Sequence, residues 1–179
     1  MTPSPGGRTV AVFGSYDAEG EGEAYAVARA AGRRLAELGY AVANGGYGGT
    51  MEASARGAVE AGGHTVGVTC SVWRSRANRF IRQGVETAGL TERIERLVEL
   101  GDAGCLVLPG GTGTLLELAW VWERTCKGLV PPRPIVCLGG FWRPVIDTVA
   151  AARPKAAGAI SVISGPEELA EHFPPRRVD

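Results

Sequence analysis

The sequence predicts an α/β fold, a Rossmann-like three-layer sandwich in which a parallel sheet carries helices on both faces. Three observations predict it: short apolar runs rich in Val, Ile and Leu recur along the chain, longer segments of helical periodicity separate them, and two of the runs end in glycine-rich turns. The runs fall at 9–13, 40–44, 65–69, 104–108, 134–138 and 159–163, and their unbroken apolar character suits strands buried on both faces. Helices are predicted at 22–38, 50–62, 91–101, 114–126, 141–152 and 166–172, many beginning near Thr or Gly and several ending at Gly. The stretch 70–90 has no regular pattern. It carries Arg74, Arg76, Arg79 and Arg82 and reads as a solvated basic loop, at a place where an α/β sheet puts an active-site loop.

The 179 residues are 45% hydrophobic and suit one globular domain, with the Pro/Gly-rich residues 1–8 as a flexible N-terminus. Nineteen basic residues balance nineteen acidic ones, which gives no general pull toward nucleic acid or a membrane surface. No stretch approaches the roughly 20 apolar residues of a membrane span, and the N-terminus lacks the apolar core of a signal peptide, so a soluble cytoplasmic protein is expected. Cys70, Cys105, Cys126 and Cys137 lie far apart, two of them in apolar runs where a thiol behaves as a small hydrophobe. Neither a disulfide framework nor a metal site is expected, and His64 and His172 read as structural.

Residues 109–117, Pro-Gly-Gly-Thr-Gly-Thr-Leu-Leu-Glu, follow the run Cys105-Leu106-Val107-Leu108. A buried strand therefore ends in a glycine loop that opens a helix, and that geometry builds an anion site: glycines allow close approach, and the first free N–H groups of a helix attract a phosphate or carboxylate. A weaker echo stands earlier, Gly45-Gly46-Tyr47-Gly48-Gly49-Thr50-Met51-Glu52, where Glu again follows the first Gly by seven residues. With Phe13-Gly14-Ser15-Tyr16, three strand ends would surround a mononucleotide. The 110–114 loop lacks the Lys-Ser/Thr ending of a P-loop, and the first loop lacks the spacing of a dinucleotide fingerprint.

On these residues the chain resembles the LOG ("Lonely guy") family of cytokinin-activating nucleotide phosphoribohydrolases, whose signature P-G-G-x-G-T-x-x-E matches Pro109 to Glu117 at every specified position. The resemblance covers roughly residues 9 to 150 and takes in Val12-Phe13-Gly14-Ser15 and 45–53. Of the family's M-H-x-R-K block only the arginine is present, as Arg93, and Leu116 stands where many members have a second Glu. These departures bear on which base is accepted more than on the type of reaction. The label lysine decarboxylase, often attached to such proteins, needs a lysine that binds pyridoxal phosphate. Lys127, which follows a helix, and Lys155, in a late loop, are the two lysines of the chain and do not suit that role.

The resemblance implies hydrolysis of a nucleoside 5′-monophosphate at its N-glycosidic bond, with no cofactor. It implies catalysis by Arg93 and Glu117 and binding by Ser15, Gly45, Gly46, Gly110, Gly111, Thr112, Gly113 and Thr114, the hydroxyl of Thr114 adding a donor to the phosphate. It also implies a homodimer whose signature helices meet near the active site, with Trp120 and Trp122 either in the core or against the partner. Structural alternatives stand beside these roles. Thr114 to Glu117 has the spacing of a capping box, and Arg93 lies among Glu92, Glu95, Arg96 and Glu99, which could make a salt-bridged surface helix. Glu52 is expected to be structural or to position a ligand. The rival function on the same fold is a non-catalytic carrier of a nucleotide or of a molybdenum-cofactor-type ligand. Which of Tyr16, Tyr47, Trp73, Asn78 or Leu90 would meet the base is left open.

Overall fold

The structure is a computed structural model that describes residues 8–16, 22–73 and 75–176. Seven strands form one sheet: β1 (Thr9–Phe13), β2 (Ala41–Asn44), β3 (Thr65–Cys70), β4 (Gln83–Thr87), β5 (Gly104–Val107), β6 (Ile135–Leu138) and β7 (Ile160–Ile163). Their spatial order is β4-β3-β2-β1-β5-β6-β7, and every neighbouring pair is parallel. The chain winds outward from β1 in one direction, then returns to β1 and winds outward the other way. The carboxyl ends of β1 and β5 flank that switch point, where open α/β sheets bind ligands.

Alternation along each strand divides the core into two layers. Val10 and Val12 of β1 pack with Leu106 of β5 under α1 (Glu23–Glu37), α2 (Gly49–Glu60) and Leu169 of the short α7 (Leu169–His172). Ala11 and Phe13 point the other way, to α3 (Leu90–Leu100), α4 (Thr112–Cys126), α5 (Arg143–Ala152) and α6 (Pro154–Ala157). This is the predicted three-layer sandwich. Burial pushes the thiols of Cys105 and Cys137 up to about 12, as expected for sulfur used as core filler. Among the described residues no helix is long and apolar enough to cross a membrane.

Two features differ from the sequence reading. Within 70–90 the structure has a strand, β4, preceded by a 3-10 turn at Ser71–Trp73. As an edge strand it leaves Gly84 and Glu86 exposed, so it carries no apolar run by which to recognise it. And α4 begins at Thr112, with Gly111 as its N-cap, two residues before the predicted start. Of the terminal stretch 1–8 only Arg8 is described, its guanidinium donating to the Asp102 carbonyl at 2.5 Å; residues 1–7, and with them the rest of the expected flexible N-terminus, lie outside the described residues, as does Arg74 of the arginine group.

The contact between α1 and α2 depends on two glycines inside the helices. A Cβ on Gly32 would overlap the carbonyl of Ser54, and one on Gly57 would overlap the carbonyl of Arg29, so the two backbones touch where side chains would hold them apart. Gly32→Ala ought to be stabilising by helix propensity, by about 1 kcal/mol. Because the clash is with backbone, we expect instead a loss of about 3 kcal/mol, the upper part of the range for overpacking, read as a fall in thermal midpoint of roughly 6–12 °C. An unchanged or raised midpoint would contradict this packing.

Candidate functional site

Sheet topology brings the loops after β1, β2, β3 and β5 together at one end of the sheet, and a cavity of about 460 Å³ opens there, within the size range of small-ligand sites. The N-terminus of α4 forms one wall, through Gly111, Thr112, Gly113 and Thr114. The first helical hydrogen bond runs from Leu115 N–H to the Gly111 carbonyl at 3.0 Å, and no side chain caps the helix. Its opening N–H groups thus have the arrangement that suits an anion. The Thr114 hydroxyl, expected to help hold a phosphate, instead donates to the Gly14 carbonyl at 3.0 Å. It fastens the helix start to the β1 loop, and only the backbone of Thr114 is left for an anion.

The second glycine loop has a different task from the one expected. Gly46 N–H is taken by the Asn44 side chain at 2.8 Å, the Gly46 carbonyl accepts from Asn78, and Gly45 packs against the Arg93 guanidinium. Gly45, Gly46 and Gly110 are not part of the cavity lining, in contrast to Ser15, Gly111, Thr112, Gly113 and Thr114. The start of α2 is covered by the β1 loop: Thr50 N–H donates to the Ser15 carbonyl at 3.0 Å, and the Thr50 hydroxyl oxygen accepts from Ser15 N–H at 2.8 Å. At the start of α2 the Thr50 N–H is therefore committed to the β1 loop. The loop contributes shape through Tyr47 and Met51, while Glu52 turns toward the Tyr25 hydroxyl at 3.5 Å on α1. Asn44, Met51 and Ser75 escape sequence reasoning; a buried Asn ending an apolar strand before Gly-Gly was the available signal for the first of them.

Arg93 and Glu117 meet, 24 positions apart in sequence. Glu117 stands on the second turn of α4, 5% exposed, and Arg93 on the first turn of α3, 6% exposed. Arg93 Nη1 donates to Glu117 Oε1 at 3.3 Å and Arg93 Nε to the Val68 carbonyl of β3 at 2.9 Å. Neither structural alternative holds. The carboxylate reaches Arg93 and not the start of its own helix, and Arg93 points into the protein away from its charged neighbours. Both side chains line the cavity. Burial raises the Glu117 carboxyl to about 7, against the opposing charge and hydrogen bond of Arg93. A carboxyl poised near neutrality can both take and return a proton at ordinary pH.

The remaining wall is aromatic. The Arg93 guanidinium lies 5.7 Å from the ring centre of Tyr47 and 5.3 Å from that of Trp73, within cation–π range. The two rings meet edge to face at 5.6 Å. Tyr47 is fixed by its hydroxyl, which accepts from Cys70 N–H at 2.8 Å. The segment carrying Trp73 is held farther along by Asn78, whose side-chain amide donates to the carbonyls of Gly46 and Tyr47 at 3.0 and 2.8 Å. Tyr16 also lines the cavity, and the half-exposed Leu90 does not. Trp122 is buried within its own chain, its indole N–H donating to the Ala156 carbonyl at 2.9 Å, so of the two alternatives, core or partner, it takes the core. Among the described residues no group of three or more His, Cys, Asp or Glu side chains is placed to hold a metal ion.

Comparison with known proteins agrees with this architecture. The model of the SLOG cluster4 family matches residues 7–166. An uncharacterized protein of Archaeoglobus fulgidus is 34% identical over 119 residues, 66% of this chain and 77% of that one. Among solved structures, the molybdenum cofactor binding protein of the phototrophic bacterium Rippkaea orientalis superposes with a TM-score of 0.74 at 23% identity, covering 94% of this chain and 96% of that one. The molybdenum cofactor carrier protein of Chlamydomonas reinhardtii gives 0.73 at 20% identity, covering 92% and 94%. At these identities the likeness is one of fold.

Proposed function

Because the chain belongs to the SLOG cluster4 family, within the LOG-like superfamily, we propose that it is a nucleoside 5′-monophosphate phosphoribohydrolase, converting nucleotide and water to free base and ribose 5-phosphate. The observation that carries this reading is the buried Arg93–Glu117 pair lining the same cavity as the α4 N-terminus. An anion site alone would serve any phosphorylated ligand. A buried carboxylate beside it repels phosphate, so its use is with another part of the same molecule, and the part that gains positive charge in glycosidic cleavage is C1′ of the sugar.

In the proposed reaction the 5′-phosphate sits on the N–H groups of Thr112, Gly113 and Thr114. As the C1′–N bond breaks, its electron pair leaves with the base and the ribose takes on oxocarbenium character, which the Glu117 carboxylate stabilises. Water attacks C1′ and gives its proton to Glu117, and the departing base is protonated in turn. Arg93, fixed at Nε by Val68, orients Glu117 and keeps its carboxyl from rising further. The protein acts as a homodimer, for which the exposed Leu115 and Leu116 on α4 supply apolar surface.

A second reading is favoured by the names of the structural neighbours: a carrier of a phosphorylated ligand such as the molybdenum cofactor, held by the same anion site without cleavage. The two separate in one experiment. Purified protein is incubated with a panel of 5′-monophosphates and the matching nucleosides, and released base is scored by chromatography. Release from a monophosphate and not from its nucleoside is the expected outcome. If every nucleotide survives while one of them still raises the melting temperature, the carrier reading replaces this one.

A further inference from the structure

Two exposed aromatic side chains line the cavity, Tyr16 beside Gly48 and Trp73 beside the Arg93 that holds Glu117, and the geometry points to the use of the second: Trp73 is the residue on which the heterocycle of the ligand stacks, which makes it the determinant of base affinity. This rests on the nucleotide reading and goes beyond it by naming the side chain that meets the base. Tyr47 and Asn78 are already committed. Tyr47 is buried with its hydroxyl bonded to the Cys70 backbone, and Asn78 holds the Gly46 and Tyr47 carbonyls. Trp73 is 48% exposed. Its contacts with Arg93 and Tyr47 orient the ring, and the side chain lines the cavity.

Connectivity of the proposed ligand leads to the same side chain. A single guanidinium touches both Glu117, at 3.3 Å, and the indole, 5.3 Å from its ring centre. The base of a nucleotide is bonded directly to C1′, so a sugar whose C1′ lies beside Glu117 carries its base to within reach of Trp73. Stacking on an aromatic side chain tolerates many bases, since each has a π face. Trp73 ends the 3-10 turn that follows β3 directly, and Asn78, farther along, donates to the Gly46 carbonyl. If Trp73 served only to shield the Arg93–Glu117 pair from water, every ligand of the site would feel its loss alike.

Calorimetric titrations distinguish these roles, carried out on Glu117→Gln protein so that nothing is hydrolysed, with the 5′-monophosphates of adenosine, guanosine, cytidine and uridine and with ribose 5-phosphate, which lacks a base. Trp73→Ala is expected to weaken the tightest-binding monophosphate about tenfold and to leave ribose 5-phosphate unchanged, with Trp73→Phe close to the parent. Retained ribose 5-phosphate binding shows at the same time that the variant is folded. Equal weakening of both ligands, or no weakening of the nucleotide, overturns the assignment while the nucleotide reading stands. If the parent protein binds neither ligand, that reading fails and the assignment falls with it.

Discussion

Glu117→Gln is expected to lower release of base by about 10³-fold or more at neutral pH, in the range that loss of a positioned proton-transfer group produces, and to leave the fold intact. Glutamine keeps an oxygen that can accept from Arg93 Nη1 and nearly the same volume at a 5% exposed position. It removes the negative charge that would face C1′ and the group that would take the proton of water. The parent enzyme should show an acid limb in its kcat/KM profile near pH 7, because the carboxyl raised to about 7 must lose its proton before it can act as a base. Any residual activity of the variant should lack that limb. A variant that keeps parental activity, or an acid limb that survives in it, would remove Glu117 from the mechanism.

The same substitution has an opposite effect on stability, with a sign set by linkage. Folding raises the Glu117 carboxyl from 4.5 to about 7, so between those values the folded state holds a proton that the unfolded state has released. Stability from this group is therefore complete below pH 4.5 and declines as pH rises to about 7, by up to about 3 kcal/mol. Above neutrality the native protein carries an ionised, largely desolvated carboxylate. Glutamine has no such dependence, so Glu117→Gln should melt no lower than the parent above neutral pH and should flatten the midpoint against pH. A carboxyl whose ionisation costs stability at the pH where it acts is one arranged for chemistry at the expense of the fold.

Legibility in the sequence followed the physical signal. Strands β1, β2, β3, β5 and β6 lie inside the sheet and left apolar runs, as did β7, an edge strand with no exposed position; β4, the opposite edge, has Gly84 and Glu86 exposed and left none. The loop before α4 was recognisable because close approach to an anion demands glycine there. Asn44 and Thr114 were not assignable in the same way: the hydrogen bonds that make one a turn organiser and the other a tie between β1 and α4 span loops that only the folded sheet brings together. Arg93 and Glu117 came as a pair from the resemblance, which left open whether the guanidinium meets phosphate, ribose or Glu117. Their encounter depends on β1, β3 and β5 setting the distance between α3 and α4, which no local pattern encodes. The two glycine loops look alike in sequence and differ in use, because the β1 loop covers the start of α2 and leaves the start of α4 open.

That difference yields a test of the positioning role of Arg93 that replaces neither Arg93 nor Glu117. Gly45 lacks the left-handed backbone that Gly46 has at φ 77°, so alanine can adopt the Gly45 conformation, and the whole effect of Gly45→Ala comes from its methyl group. That methyl would overlap Arg93 Nη2 and lie 2.6 Å from Met51 Sδ. Because Nε is held by the Val68 carbonyl at 2.9 Å, the guanidinium can yield only at its outer nitrogens, and the contact that gives way is the one to Glu117, already 3.3 Å long. A misplacement of about 1 Å in such a group is enough for roughly a 10²-fold loss of kcat/KM. Arg93 holds the Glu117 carboxyl down, so its displacement should also move the acid limb to higher pH, and part of the lost activity should return as the medium is made more alkaline. Ribose 5-phosphate should bind as before, since the α4 N-terminus is untouched. Loss of activity with an unmoved limb would mean that the methyl acts through general disorder of the site, and full activity would mean that Arg93 tolerates displacement and does not set the position of Glu117.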